Sequence, residues 1–332
     1  MWPATGLWQD VSELPESLAA TTAAREGIED VAALLGADRV RRIVATGNGA
    51  AYYVAVALWL ASLEGRGGPE VVAVPSGLVA RGAFGWRPGD ALLAISSSGE
   101  FRDVVEAVDA GAPLPYAAIT ASAASTLGSR AGARALVTVR QQRAVTHTQA
   151  FCGAVAAALA VWAELSGDAG LRDAVARVSD ESAVAVEAAR LWVESAAGLD
   201  APAAVAFGSG PAWAAALEAA LLLKEVAGIP AEGVETREGA TSTMMALQPG
   251  HLVFSLPTGD DPLLEEAEAI CRGRGATVTR APVVAGGDRR LAAILSFPAA
   301  VALGERIGVA RGLDVDRPAW TEAYYRVART SA

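Results

Sequence analysis

Short apolar runs alternate with helix-length, alanine-rich segments along this chain, and that alternation constrains the fold more than any single motif. Residues 41–46 (RRIVAT), 70–76 (EVVAVPS), 91–97 (ALLAISS), 115–120 (PYAAIT) and 135–139 (ALVTV) read as strands buried on both faces. A helical segment, DVSELPESLAATTAAREGIEDVAALLG, leads in and stops at Gly36. A long helix is expected from Thr148 to about Leu165. Residues 167–199 read as a polar helix linking two halves, after which the pattern starts again. AVAFGSG at 204–210 repeats the strand-to-glycine turn of IVATGNG at 43–49, and HLVFSLPTGDD at 251–261 stands where ALLAISSSGE stood. LAAIL at 291–295 is expected as a last strand. The expected fold is α/β: two copies of one unit, each a parallel five-stranded sheet covered by helices on both faces. The expected boundaries are 1–166, a linker helix 167–199, and 200–332.

Composition narrows the function. The net charge is −10, which argues against sequence-independent binding of nucleic-acid phosphates. Cys152 and Cys271 are far apart in apolar surroundings and read as reduced core thiols. With only His147 and His251 present, a histidine-rich metal site is not expected. MWPATGLWQD lacks a basic region followed by an apolar core, so no signal peptide is expected. Apolar stretches such as CGAVAAALAVWAEL fall short of a bilayer span, and the expectation is a cytoplasmic protein without a membrane partner.

Four stretches carry candidate chemistry. SSSGE follows a strand and precedes a helix, where free amide groups and the helix dipole favour an anion; Ser96, Ser97, Ser98 and Gly99 fit a cradle for phosphate. The same residues also fit a plain helix cap with spare hydroxyls. TGNGAAYY places Gly47 and Gly49 at a strand-to-helix turn, but the spacing is not GxGxxG, and a nicotinamide cofactor is disfavoured. No cofactor is expected. AVTHTQAF brings Thr146, His147 and Thr148 to a helix start, as site groups or as caps. EAALLLKEVAGIPAEGVETREGATST sets Glu218, Leu222 and Glu225 on successive turns of one helix; a carboxylate there serves as a base or pairs with a nearby cation.

Together, the stretches GNGAAY, SSSGEFRDVV, VTHTQAF, ALEAALLLKEVAGIPAEGVE and GLDVDRP resemble, in order and spacing, the sugar isomerase (SIS) family. They are most similar to the isomerase half of glucosamine-6-phosphate synthase, from about residue 20 to 320. The resemblance implies two flavodoxin-like units in a homodimer or larger assembly. It implies a phosphorylated sugar as ligand and aldose–ketose isomerisation through an enediol. Carried over, Ser96, Ser97 and Ser98 would hold the phosphate, Thr148 and its neighbours such as Thr146 would line the sugar, and Gly49, Ala50 and Gly99 would belong to the same substrate- and phosphate-binding set. Glu225 would move the carbon-bound proton.

The departures are specific. Phe101 replaces a hydroxyl residue after SSSGE, Ala51 a serine of the first loop, Thr241 the ring-opening histidine, and about Ala323 the tail lysine. His147, Arg237, Glu235 and Glu238 are candidates to replace what is missing, Arg237 alternatively belonging to a surface charge cluster with its two flanking glutamates. SLPTGDD has lost the serine-rich cradle, so one anion site per pair of repeats is expected. No glutaminase domain is expected, hence no release of ammonia from glutamine by this chain. The expected function is isomerisation or deamination of a hexose or hexosamine 6-phosphate. The alternatives are a non-catalytic sugar-phosphate sensor and an isomerase of another anionic sugar, such as a sulfonated one.

Overall fold

Strands with apolar side chains on both faces need helices above and below them. In the computed structural model, which describes residues 5–65 and 67–328, the first five runs form one parallel sheet. Its strands are β1 (Arg42–Gly47), β2 (Glu70–Pro75), β3 (Asp90–Ile95), β4 (Tyr116–Thr120) and β5 (Ala133–Leu136), in the order β2-β1-β3-β4-β5. β1 and β3 are buried throughout and pair in register from Arg42–Asp90 to Thr46–Ala94. Val44, Leu92, Val104, Val108 and Leu127 pack into the core between this sheet and its helices.

The second sheet is also parallel: β6 (Ala204–Gly208), β7 (Ala231–Glu235), β8 (Leu252–Ser255) and β9 (Thr277–Arg280), in the order β7-β6-β8-β9. The order repeats that of β2-β1-β3-β4. The turns repeat as well. A Cβ on Gly47 would lie 2.6 Å from the Ala51 carbonyl oxygen, and one on Gly208 would lie 2.1 Å from that of Ala212. Two positions later, Gly49 and Gly210 have φ of +55° and +54°.

The second sheet has four strands among the described residues, not five. LAAIL is helical: a 3₁₀ turn at Arg289–Leu291 runs into the α-helix Ala292–Leu295 and then Phe297–Ala310. Alanine and leucine are strong helix formers, and Asp288 caps the turn by accepting from the Arg290 amide at 2.9 Å. The expected strand 135–139 begins earlier and ends at Leu136. Beyond it, Thr21 and Ser17 of the leading segment bond to the Thr138 amide and carbonyl, taking the backbone groups a ladder would use.

Contacts divide the chain into two compact units assembled from separated stretches. One, the first-sheet unit, comprises Glu16–Arg140, Gln149–Val178 and the chain from Trp320 onward. The other, the second-sheet unit, comprises the chain up to Pro15, Gln141–Thr148 and Ser179–Ala319. This interleaving differs from the contiguous blocks 1–166 and 200–332. The expected linker helix is Ala169–Trp192, and it contributes to both units.

The helices Gln149–Ser166 and Arg289–Ala310 are long and apolar enough to cross a membrane, which corrects the expectation of shorter stretches. In each, 83% of the apolar window is buried inside the protein, as in the core helices of α/β folds. Residues 1–4, the first part of the segment MWPATGLWQD, and residues 329–332 lie outside the described residues.

Candidate functional site

Open parallel sheets bind ligands beyond the carboxyl ends of their strands, where the strand order reverses. In the first sheet that point lies between β1 and β3. The loops that leave there are 47–49 and 96–99.

Ser96 is buried, and its Oγ accepts the Gly99 amide at 3.1 Å. The Ser97 carbonyl accepts from the Ala121 amide at 2.9 Å and from Thr120 Oγ1 at 3.2 Å, tying the loop to the end of β4. Ser98 is exposed and accepts the Glu100 amide at 3.2 Å. Gly99 has φ +67°, and a Cβ there would lie 2.0 Å from Ser125 Oγ, so both backbone and space require glycine. Glu100 accepts from the Thr126 amide and hydroxyl, both at 2.7 Å. The next helix begins only at Arg102, with Phe101 at its N-cap and no capping side chain. The serines therefore do not cap it. The loop presents hydroxyls beside a helix start to which no side chain offers an acceptor.

The β1 loop adjoins it. The helix Ala50–Glu64 opens on Gly49 without a side-chain cap, and a Cβ on Gly49 would meet nothing within 4 Å. The backbone of Gly49 thus borders open space, with Ala50 next to it at the helix start. Asn48 Nδ2 reaches Asp103 at 3.4 Å, joining the two loops. Phe101 turns part of its ring into the core and sets it 6.3 Å from the ring of Tyr324. Trp320 and Tyr325 pack on Tyr324 at 5.7 and 5.4 Å.

The second-sheet unit holds the titratable groups. Its segment 141–148 is clamped from two directions. Asp10 accepts the Arg143 and Ala144 amides at 2.8 and 3.0 Å, and its other oxygen accepts from the Arg143 guanidinium at 2.9 Å. The Asp316 carbonyl accepts the Val145 amide at 2.9 Å, while the Asp316 carboxylate accepts the Gly6 and Leu7 amides at 2.8 and 2.7 Å. This fixes Thr146, which is buried beside Glu225, the last residue of the helix Ala212–Glu225.

Burial pushes the Glu225 carboxyl up to about 7, against the smaller pull of the Thr146 hydroxyl and the Lys224 charge. Thr146 Oγ1 makes no hydrogen bond of good geometry, yet it stands close enough to favour the ionised carboxylate. Burial pushes the His147 imidazole below its usual range, and its buried Nδ1 has no hydrogen-bond partner. Thr148 is buried at the end of the segment.

Arg237 and Thr241 occupy the short helix Thr236–Thr241. Arg237 is exposed; the neighbouring Glu235 carboxylate accepts from the Arg237 and Glu238 amides at 2.8 and 3.2 Å and so acts as the helix cap. Thr241 bonds back to the Arg237 and Glu238 carbonyls at 3.0 and 3.3 Å, which leaves its hydroxyl proton committed to its own helix. Ala323 is exposed on the helix Thr321–Ala328. Among the described residues, no three His, Cys, Asp or Glu side chains group as a metal site requires.

The clamp residues Asp10 and Asp316 did not stand out in the sequence, because each is a lone aspartate whose partners lie far along the chain. Glu218, named there only as a helix neighbour, is buried within the same helix as Glu225.

No family model matches the sequence. The chain is 27% identical to the glutamine–fructose-6-phosphate aminotransferase (isomerizing) of Aeropyrum pernix and 29% identical to that of Pyrobaculum aerophilum, in each case over 93% of its length. It spans about half the length of these curated relatives, 55% of each. Among solved structures, the fold is similar to glucosamine-6-phosphate deaminase from Thermotoga maritima, with a TM-score of 0.79 and 19% identity over 95% of this chain and 98% of that one. It is also similar to the C-terminal domain of glucosamine-fructose-6-phosphate aminotransferase from Francisella tularensis, with a TM-score of 0.78 and 18% identity over 96% and 99%. At these identities the structures establish the fold. The resemblance to the sugar isomerase family thus extends along nearly the whole chain, in sequence to the aminotransferases and in fold to phosphosugar proteins.

Proposed function

We propose that the protein isomerises, or deaminates and isomerises, a hexose or hexosamine 6-phosphate through an enediol or enediolamine. Ser96, Ser97, Ser98 and Gly99 hold the anionic end, with Gly49 and Ala50 beside them. Thr146, Thr148, Arg237 and Thr241 contact the sugar. Glu225 moves the proton between C1 and C2, and His147, neutral at pH 7, assists ring opening. The observation that carries the reading is the Glu225 carboxyl, held at about 7 by burial next to Thr146. A base works best when its pKa lies near the working pH. The tandem repeat of the two sheets, the assembly into a homodimer or larger oligomer and a cytoplasmic location belong to the same reading and rest on the family resemblance.

Hexose and hexosamine 6-phosphates incubated with the protein in D₂O should acquire deuterium at C2. Glu225→Gln should lower turnover by about 10²–10⁴-fold, while the sugar phosphate still raises its unfolding temperature. Full turnover by Glu225→Gln would remove the base assignment.

One observation favours a second reading, a sugar-phosphate sensor without turnover. The Thr241 hydroxyl is tied to its own helix, so the position matched to the ring-opening histidine supplies no titratable group. Thermal stabilisation by a sugar phosphate with no exchange at C2 would support the sensor.

A further inference from the structure

Glu218 is a buried carboxyl that the reading above leaves unused. It is 3% exposed, and its Oε2 has no hydrogen-bond partner. A buried polar atom without a partner is destabilising by roughly 1–3 kcal/mol and is uncommon in native proteins. Glu218 lies seven positions before Glu225 on one helix, two turns apart, and so on the same helical face. Leu222, between them, is buried and offers no charge. Lys224 is exposed, on a different side of the helix.

Aldose–ketose isomerisation moves more than a carbon-bound proton. As the C1 carbonyl becomes a hydroxyl and the C2 hydroxyl a carbonyl, O1 must gain a proton and O2 must lose one. The positions that the family resemblance matched to a histidine and a lysine are Thr241 and Ala323 here, and neither can carry that proton. A neutral carboxylic acid can do both jobs, because one oxygen donates while the other accepts.

We propose that Glu218 is a second proton-carrying residue of the site, serving the two substrate oxygens while Glu225 serves carbon. The inference rests on the isomerase reading. In the first half-reaction the Glu225 carboxylate takes the proton from C2. The C2–H electrons form the C1–C2 double bond, and O1 takes the Glu218 proton as the C1 carbonyl opens. In the second half the O2–H proton passes to the Glu218 carboxylate and the C2 carbonyl forms. The double-bond electrons then take the Glu225 proton at C1. Glu218 ends protonated and Glu225 ionised, as they began, and no oxidant or other reactant is required. Burial, with the nearby Glu225 charge adding to it, holds the Glu218 carboxyl well above the usual carboxylate range, which favours the protonated form that this step starts from.

The test compares wild type, Glu218→Gln and Glu218→Leu by deuterium incorporation at C2 from D₂O, conversion of the same sugar phosphate and thermal unfolding. Glutamine keeps the shape without the acidic proton, and leucine removes the unpartnered oxygen. Both variants should fold, Glu218→Leu unfolding at a temperature no lower than wild type, and both should lose about 10²–10⁴-fold in conversion. The pH–rate profile of residual Glu218→Gln activity should keep the wild-type acid limb near pH 7, since that limb belongs to Glu225. A folded Glu218→Gln that converts substrate at the wild-type rate overturns this inference alone. So does a parallel loss of activity and unfolding temperature in both variants, which marks Glu218 as structural. A wild-type protein that exchanges C2 on no sugar phosphate overturns the isomerase reading, and this inference with it.

Discussion

The two loops that leave the sheets after β3 and β8 occupy the same place in the strand order and differ in their chemistry. After β3 the chain turns through Ser96, Ser97, Ser98 and Gly99 into a helix that no side chain caps. After β8 it turns through Leu256, Pro257, Thr258 and Gly259 into the helix Pro262–Gly273, whose first amides face Asp261: its carboxylate accepts from Leu264 at 3.1 Å. Asp260 stands beside it. A capping carboxylate satisfies the amides that an anion would otherwise seek, and it repels the anion as well. The same strand order therefore leaves a helix start without a side-chain cap at one sheet end and closes it with a carboxylate at the other. What separates them is a handful of loop residues, not the fold.

The largest expected effect is at the glycines. Gly99→Ala would place a methyl on Ser125 in a left-handed backbone, whereas Gly259 has φ +148° with nothing within 4 Å of its Cβ position. Gly99→Ala should lose roughly 3 kcal/mol or more of stability, and Gly259→Ala about 1. Equal losses in urea unfolding would break the contrast. Only Gly99→Ala should abolish stabilisation by a sugar phosphate.

Next comes pH, which acts on the unit without the cradle. The Glu225 carboxyl lies near 7 in the folded protein and at an ordinary carboxyl value once unfolded. The native state thus binds the extra proton between those values, and stability falls as pH rises from about 4.5 to 7. The loss is roughly 2–3 kcal/mol. Glu225→Gln should reduce that slope in denaturant titrations, gaining on wild type as pH rises, while Glu218, also held above the carboxylate range by burial, keeps a slope of the same sign. Wild-type kcat/KM should rise through pH 7 in the same window.

Smaller still is the paired loss of hydroxyls. Ser97→Ala and Ser98→Ala should each weaken sugar-phosphate binding about ten-fold with little change in stability. Thr258→Ala should leave binding untouched. Smallest is the cap: Asp261→Ala should cost about 1 kcal/mol in stability and leave binding alone.

Much of this fold could be read from the sequence, because periodicity and turn residues agreed at β1, β3, β4, β6 and β8. Where it could not be read, packing overrode local preference. β7 (AEGVE) has a glycine and two glutamates, poor strand formers, yet Gly233 is there because a Cβ would lie 2.4 Å from the Ala216 carbonyl oxygen of the covering helix. LAAIL misled in the opposite sense: apolar and short, it has one β-branched residue and a capping aspartate upstream. In the candidate site, the serine loop and Glu225 carried local signals. Asp10, Asp316 and the unpartnered oxygen of Glu218 carried none, since their significance comes from groups distant in sequence or from burial.

The clamp on segment 141–148 bears on the order of assembly. The Asp316 carboxylate closes on Gly6 and Leu7 across 310 and 309 positions of chain, and the same residue's carbonyl holds Val145. Closing so long a loop is entropically late. The segment carrying Thr146 and His147 should therefore be the last part of its unit to become rigid during refolding. In pulsed hydrogen exchange, the Val145 amide should gain protection after the amides of β6 and β8.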